Sequence, residues 1–258
     1  MGKDETASEI VGKKIFFLYP TVVVQNRIVS ELVQQEYEVY IVKDKDSLRR
    51  VLRKYPGSLL FIDINEQMAE NEWETWINNL MKASDTKSIL VGIVTANDNE
   101  PIKQKYLSSA NIRCGYTVLK YELDKAIVQI IDILQSTEAK GRRKYIRAST
   151  GKESNATLNL PLNGMFVKGK IKDISVVGMS CTLEGDPDIA KNALFKDIQI
   201  RLQSSLLKAE GLVFGSRMEG KETVYVILFT QRIDPNVRTK IRVYIQQNLQ
   251  AKMDSELK

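Results

Sequence analysis

Apolar residues in the first half of the chain fall in short runs that alternate with stretches of helical spacing. Lys14-Ile15-Phe16-Phe17-Leu18-Tyr19 reads as a strand, and Val22 to Gln35 as a helix with Ile28, Leu32 and Val33 inward. Val39-Tyr40-Ile41-Val42 is a second strand, and Asp46 is placed to cap a helix that buries Leu48, Val51, Leu52 and Tyr55 and ends at Pro56-Gly57. Leu59-Leu60-Phe61-Ile62 forms a third strand running into Asp63, after which Trp73, Trp76, Ile77 and Leu80 make a core-facing helical stripe. Ile89 to Val94 is the fourth strand, residues 100–109 a short helix, and Thr117-Val118-Leu119 the fifth strand. Leu123, Ile127, Ile130, Ile131 and Leu134 lie on one face of a last helix. Five strands alternating with five helices predict an α/β domain, a doubly wound five-stranded parallel sheet.

The second half switches to a period of two. Ala156, Leu158 and Leu160 alternate with polar residues, and Val167, Gly169 and Ile171 alternate with Lys168, Lys170 and Lys172. Met179-Cys181-Leu183, Ile198-Ile200-Leu202 and Val224-Val226-Leu228 repeat the pattern. About six short strands separated by Gly, Asn and Asp turns predict a small antiparallel β-barrel. Asp234-Pro235 then opens a C-terminal helix carrying Val237, Ile241, Ile245 and Leu249. The expected organisation is a flexible leader at 1–12, an α/β domain at 13–138 and a barrel domain at 139–258.

The 258 residues suffice for two domains, and no apolar run approaches the roughly 20 residues that span a bilayer. The polar start, Met1-Gly2-Lys3-Asp4-Glu5, lacks a secretory core, so the cytoplasm is the expected compartment and no membrane partner is expected. The formal net charge of +6 is unevenly shared. Residues 1–138 hold 17 Lys/Arg and 20 Asp/Glu, a balance of −3, whereas residues 139–258 hold 21 and 12, a balance of +9. A basic second half suits an anionic partner. The absence of histidine excludes Ser-His-Asp and Cys-His catalysis and the usual zinc sites. Of the two cysteines, Cys114 and Cys181, the latter alternates with Met179 and Leu183 and reads as a small buried hydrophobe. No acid/base or nucleophile constellation is present, and neither a catalytic role nor a metal or cofactor is expected.

Two stretches stand apart. Gly141-Arg142-Arg143-Lys144-Tyr145-Ile146-Arg147 carries an Arg-x-x-x-Arg pair, and Asp173-Ile174-Ser175-Val176-Val177-Gly178 an Asp-x-Ser-x-x-Gly turn between two predicted strands. The same arginine spacing occurs at Arg49/Arg53 and Arg238/Arg242, but in helical segments, where it places two cations on one solvated face. Alone, Asp173 and Ser175 would be an ordinary Asx or Ser turn. Arg143/Arg147 instead follows a helix end and precedes the β-rich region that holds the chain's one Asp-x-Ser-x-x-Gly.

In this order the two motifs resemble the signatures of PilZ domains, bacterial receptors for cyclic di-GMP. The likeness covers roughly residues 140–250 and implies a six-stranded antiparallel barrel with a C-terminal helix, second-messenger signalling such as control of motility, and a ligand site at Arg143, Arg147, Asp173, Ser175 and Gly178, helped by Arg142. The residue chemistry suits that ligand. Arginine forks match guanine O6/N7 edges and phosphates, and their faces stack on purines. Asp173 can accept from guanine N1–H and N2–H, while Ser175 can bond the ligand or its own backbone. Gly178 allows positive φ or close backbone approach.

The first half resembles a response-regulator receiver domain. Asp63, Thr95 and Lys120 end the third, fourth and fifth strands, where receivers keep the phosphoacceptor, a phosphate-sensing hydroxyl and a lysine. Leu18-Tyr19-Pro20 stands where a receiver has its acidic, magnesium-holding pair, so a degenerate receiver serving as a docking or regulatory module is expected. The combined expectation is a non-enzymatic receptor that passes cyclic di-GMP binding to a protein partner through domain rearrangement. The rivals are a nucleic-acid-binding regulator using the +9 half, against which the lack of a recognition helix or aromatic stacking motif speaks, and phosphotransfer through Asp63.

Overall fold

The computed structural model describes residues 12–65, 67–108, 112–120, 122–150 and 156–258; apart from Gly12, the expected leader lies outside them. The chain forms two compact units. One runs to Lys144 and takes in Gln250–Lys258, and the other is Tyr145–Leu249. The sequence pattern puts the division at residue 138. The segment after it stays with the first unit because Ala139 is buried there and its carbonyl accepts from Lys13 N at 2.8 Å.

The first unit contains β1 (Ile15–Leu18), β2 (Val39–Val42), β3 (Leu59–Asp63), β4 (Leu90–Thr95) and β5 (Tyr116–Val118) in the order β2-β1-β3-β4-β5. All neighbours pair in parallel, as the alternation with helices predicts. The helices are α1, a π-helical stretch Val24–Val29 continuing into Ser30–Gln34, then α2 (Lys45–Lys54), α3 (Glu70–Lys82), α4 (Glu100–Ser108) and α5 (Leu123–Ser136). The cap of α2 is Asp44 rather than Asp46: its carboxylate accepts from Ser47 N at 2.8 Å and Asp46 N at 3.4 Å, which places Asp46 in the first turn. Trp73, Ile77 and Leu80 are buried on α3 as core, with Trp76 half-buried and edge-on against Trp73. Strand order reverses between β1 and β3, and Asp63 therefore ends its strand at the sheet's topological switch point.

Residues 250–258 group with this unit through specific contacts. The Gln250 side chain donates to Ile41 O and accepts from Ile41 N, both at 2.9 Å, on the outer edge of β2. The Tyr55 hydroxyl donates to Glu256 at 2.9 Å.

The second unit is all antiparallel. Its strands are β6 (Ala148–Ser149), β7 (Ala156–Leu162), β8 (Met165–Ser175), β9 (Gly178–Leu183), β10 (Leu194–Leu202), β11 (Ser205–Glu219) and β12 (Glu222–Phe229). The order β6-β8-β7-β10-β11-β12-β9, with β8 also paired to β9, closes six strands into a barrel and leaves β6 as a two-residue flap on β8. Core positions follow the period-two pattern: Leu158, Ile171, Cys181, Ile198, Ile200 and Ile227 all point inward. Helix α6 (Pro235–Leu257) starts at a cap where Asp234 accepts from Asn236 N at 2.7 Å, and it adds Ile241, Tyr244 and Ile245 to the same core. No helix among the described residues is long and apolar enough to cross a membrane.

Candidate ligand-binding site

The Asp-x-Ser-x-x-Gly stretch is the hairpin joining β8 to β9. Ile171 and Ile174 both face the core, which two residues of strictly alternating strand between them forbid; the ladder irregularity between Ile171 and Asp173 makes it possible. The extra residue is Lys172, and the bulge is fixed by Thr150, whose N–H donates to Lys172 O at 2.8 Å and whose hydroxyl is shared between Ile171 O and Lys172 O. The bulge turns Asp173 outward, opposite Ser180 on β9 and Ser149 on β6.

Asp173 is the chemical centre of this corner. One carboxylate oxygen accepts from the buried Ser180 hydroxyl. The other lies 3.6 Å from a guanidinium nitrogen of Arg147, which enters on the residue just before β6. That distance is longer than a tight charge-assisted bond, and the Arg147 side chain is 51% exposed, so the guanidinium is only loosely held. Next to the bulge, Lys172 pairs with Glu222 at 3.1 Å and Glu219 at 3.5 Å at the β11–β12 turn. The hydrogen bond that Lys172 donates to Glu222, and then the one to Glu219, raises the Lys172 pKa. Arg217 also binds Glu219, at 2.6 Å.

The other motif residues shape the turn. Ser175 is 2% exposed and its hydroxyl donates to Gly178 O at 3.1 Å, closing the Val176-Val177 turn. Of its two expected uses, the backbone bond is the one present. Gly178 has no positive φ; a Cβ there would lie 2.5 Å from Ile227 O and 3.2 Å from Leu228 Cα, so close backbone approach is what requires glycine. Arg142 and Arg143 are exposed on the irregular segment ahead of β6, and they group with the first unit, whereas Arg147 belongs to the second. Arg147, Asp173, Ser175 and Gly178 are thus brought to one corner, and Arg142 and Arg143 lie across the division. Arg49/Arg53 and Arg238/Arg242 sit on α2 and α6, as their spacing predicts, and Arg53 pairs with Asp85 at 2.7 Å.

Sequence reading missed Ser180, Lys172, Glu219 and Glu222. Ser180 had a signal, since a two-residue turn pairs Ser175 with Gly178 and brings the following residues back past Asp173. Only the bulge decides which of them it meets.

In the first unit, Asp63 is 4% exposed, and its carboxylate accepts from both the backbone and side-chain amides of Asn65. The buried Thr95 hydroxyl donates to the same Asn65 side chain at 2.6 Å. One amide therefore bridges the side chains that end β3 and β4. At the end of β1, Tyr19 packs edge-on against Trp73 with centroids 6.0 Å apart. Among the described residues, no group of three or more Cys, Asp or Glu is placed to hold a metal ion.

No family model matches the chain, and no curated protein matches its sequence. Several solved structures do. The PilZ domain of YcgR from Escherichia coli with c-di-GMP is 18% identical over 44% of this chain and 98% of that one, with a TM-score of 0.37. The K. pneumonia MrkH–c-di-GMP complex is 19% identical over 45% of this chain and 57% of its own, with a TM-score of 0.39. The Bacillus subtilis inhibitor of motility, MotI/DgrA, is 14% identical over 43% and 52%, with a TM-score of 0.37. The chain spans about half the length of the latter two. It is similar, over less than half of its own length, to PilZ-domain proteins.

Proposed function

We propose that this chain is a non-enzymatic receptor for cyclic di-GMP and that it relays binding to a protein partner. The observation that carries the reading is the Asp173 corner: an outward carboxylate oriented by Ser180 beside a loosely held, half-exposed arginine. A guanine presents N1–H and N2–H to such a carboxylate and O6/N7 to a guanidinium, and the phosphates take further arginine forks. In this reading Asp173 accepts from one guanine, and Arg147 leaves its long contact for the ligand. Arg143, with Arg142 beside it, closes from the preceding segment. Ser175 and Gly178 hold the turn that presents Asp173.

The first unit acts as a regulatory or docking module, since Asn65 already occupies the Asp63 and Thr95 groups. Ligand capture by Arg142, Arg143 and Arg147 draws the segment from Gly141 to Arg147 onto the ligand and alters how the two units are held, which is the signal passed on. Calorimetric titration with cyclic di-GMP, with GTP and cyclic di-AMP as controls, tests the receptor reading. Saturable binding of cyclic di-GMP alone supports it, and equal binding of all three or of none overturns it. Small-angle scattering with and without ligand tests the relay, and superimposable profiles at saturation would rule out a rearrangement.

A further inference from the structure

The barrel carries a second polar surface beside the Asp173 corner, sharing Glu222 with it. Strand register aligns Arg201 with Thr157, Thr157 with Lys170 and Lys170 with Thr182, one row across the adjacent strands β10, β7, β8 and β9. A second row, two residues along, aligns Gln199 with Asn159 and Asn159 with Lys168, and Asn159 donates to Gln199 at 3.0 Å. Both rows have the parity opposite to the buried Leu158, Gly169, Leu183 and Ile200, so they face outward. All residues of the two rows but Gln199 line an open groove of about 970 Å³ that also takes in Lys221 at the β11–β12 turn.

Three features set this groove apart from an ordinary solvated face. First, no carboxylate among the described residues pairs with Lys168, Lys170, Arg201 or Lys221. Nearby Lys172, by contrast, is held by Glu219 and Glu222. Of the acids on the rim, Glu222 is engaged by Lys172; Asp186 accepts from the neutral Thr223 and Tyr225 hydroxyls and keeps its charge, so Asp186 and Glu184 are the competing anions against four cations. Second, the spacing is regular. Strands about 4.8 Å apart put Lys170 and Arg201 about 10 Å from one another at the backbone, and two residues along a strand put Lys168 about 7 Å from Lys170. Third, the two rows hold Arg, Lys, Thr, Asn and Gln with no aromatic side chain. Those are the side chains that contact phosphate oxygens in nucleic-acid complexes. A surface that stacks bases needs aromatic platforms, and one that anchors a protein segment favours buried aromatic or apolar pockets.

We infer that this groove binds a chain of phosphates, reading the repeated charge and not the bases. The chain can be the backbone of a single-stranded nucleic acid or inorganic polyphosphate, since both offer the same anion at short intervals. The groove adjoins the cyclic di-GMP corner, its Thr182 lying two residues along β9 from Ser180, and in this reading it binds separately from that corner.

The test is fluorescence anisotropy of the full chain with a labelled oligothymidylate at low salt, with unlabelled polyphosphate and polyglutamate as competitors. Four cations on a single strand give a log K against log salt slope of about −3, and Arg201→Gln makes it shallower by about 0.7. The double variant Lys168→Gln/Arg201→Gln weakens binding by roughly tenfold or more, whereas the exposed Lys240→Gln on α6 leaves it within about twofold. Displacement by polyphosphate supports the assignment, and the tighter of the two probes at equal phosphate identifies the source. Equal loss in all variants, displacement by polyglutamate as effective as by polyphosphate, failure of polyphosphate to compete, or no binding at low salt would each overturn it. Titration of Arg201→Gln with cyclic di-GMP separates the two sites: unchanged affinity is expected, and a joint loss would merge the groove with the Asp173 corner and overturn its independence.

Discussion

The Ser180 hydroxyl donates to the Asp173 carboxylate across the β8–β9 ladder, and this bond leaves the other carboxylate oxygen facing Arg147. A buried hydroxyl with one partner is a positioning device, and its loss is felt through Asp173. Asp173→Ala is expected to weaken cyclic di-GMP binding more than that of an adenine analogue, because the lost acceptor serves donors that adenine lacks. Ser180→Ala is expected to cost about 1 kcal/mol, roughly fivefold in affinity, with selectivity shifting in the same direction. Parallel titrations of the two dinucleotides read both effects, and a uniform loss for both ligands would contradict the guanine role.

The arginines supply their own internal control. Arg143→Ala or Arg147→Ala is expected to reduce affinity by roughly tenfold or more, the loss of one charge-assisted contact of about 1.5–3 kcal/mol. Arg49→Ala and Arg238→Ala, which break the same spacing on helices, are expected to leave calorimetric affinity unchanged. Equal losses at all four positions would reduce the motif to general positive charge.

Gly178 tests the turn rather than the ligand. A methyl group 2.5 Å from Ile227 O cannot be accommodated without moving β12, so Gly178→Ala is expected to destabilise the barrel by about 1–3 kcal/mol. Denaturant unfolding of the variant measures this, and unchanged stability would show that the β9–β12 contact yields freely.

Asp63 is expected to resist phosphorylation. Its carboxylate is buried against Asn65, and the end of β1 offers Tyr19 and Pro20 where a magnesium-holding acidic pair would be needed. Incubation with a small phosphodonor and Mg²⁺ should leave the mass unchanged. A phosphoryl gain that disappears in Asp63→Asn would establish a working receiver.

Alkali should destabilise the protein over a defined window. Burial pushes the Cys114 and Cys181 thiols from the ordinary 9.0 up to about 12, and burial with the Glu256 bond pushes Tyr55 to about 12. Below about pH 9 both folded and unfolded chains keep these protons. Between 9 and 12 the unfolded chain releases protons that the folded one retains, so stability falls as pH rises, and it levels off above 12. Thermal midpoints recorded from pH 8 upward should be flat and then decline; a flat profile through pH 11 would contradict the burial of these groups.

Most of the architecture was legible because both halves bury their elements on faces that local periodicity announces. The parallel sheet follows from runs such as Leu59–Ile62, and the barrel from Ala156-Leu158-Leu160 alternation. The site was legible only in part. Asp173 and Arg147 come within 3.6 Å of each other, and the Ser175 hydroxyl is bonded within its own turn. Ser180 became visible only through the bulge at Lys172, which depends on Thr150 and not on any pattern within β8. The division after Lys144 and the grouping of residues 250–258 with the first unit rest on long-range contacts, Lys13 to Ala139 and Gln250 to Ile41, that no local pattern encodes.

That last contact has a consequence for solubility. β2 is a rim strand of the parallel sheet, and its Val39, Tyr40 and Val42 are buried apolar residues. A rim strand of this kind is a template on which another chain can build, through whatever main-chain groups it leaves open. The Gln250 carboxamide imitates one residue of a sixth strand, satisfying the N–H and C=O of Ile41 together without offering a further edge of its own. A single side chain thereby occupies the edge groups of Ile41 that an added strand would need.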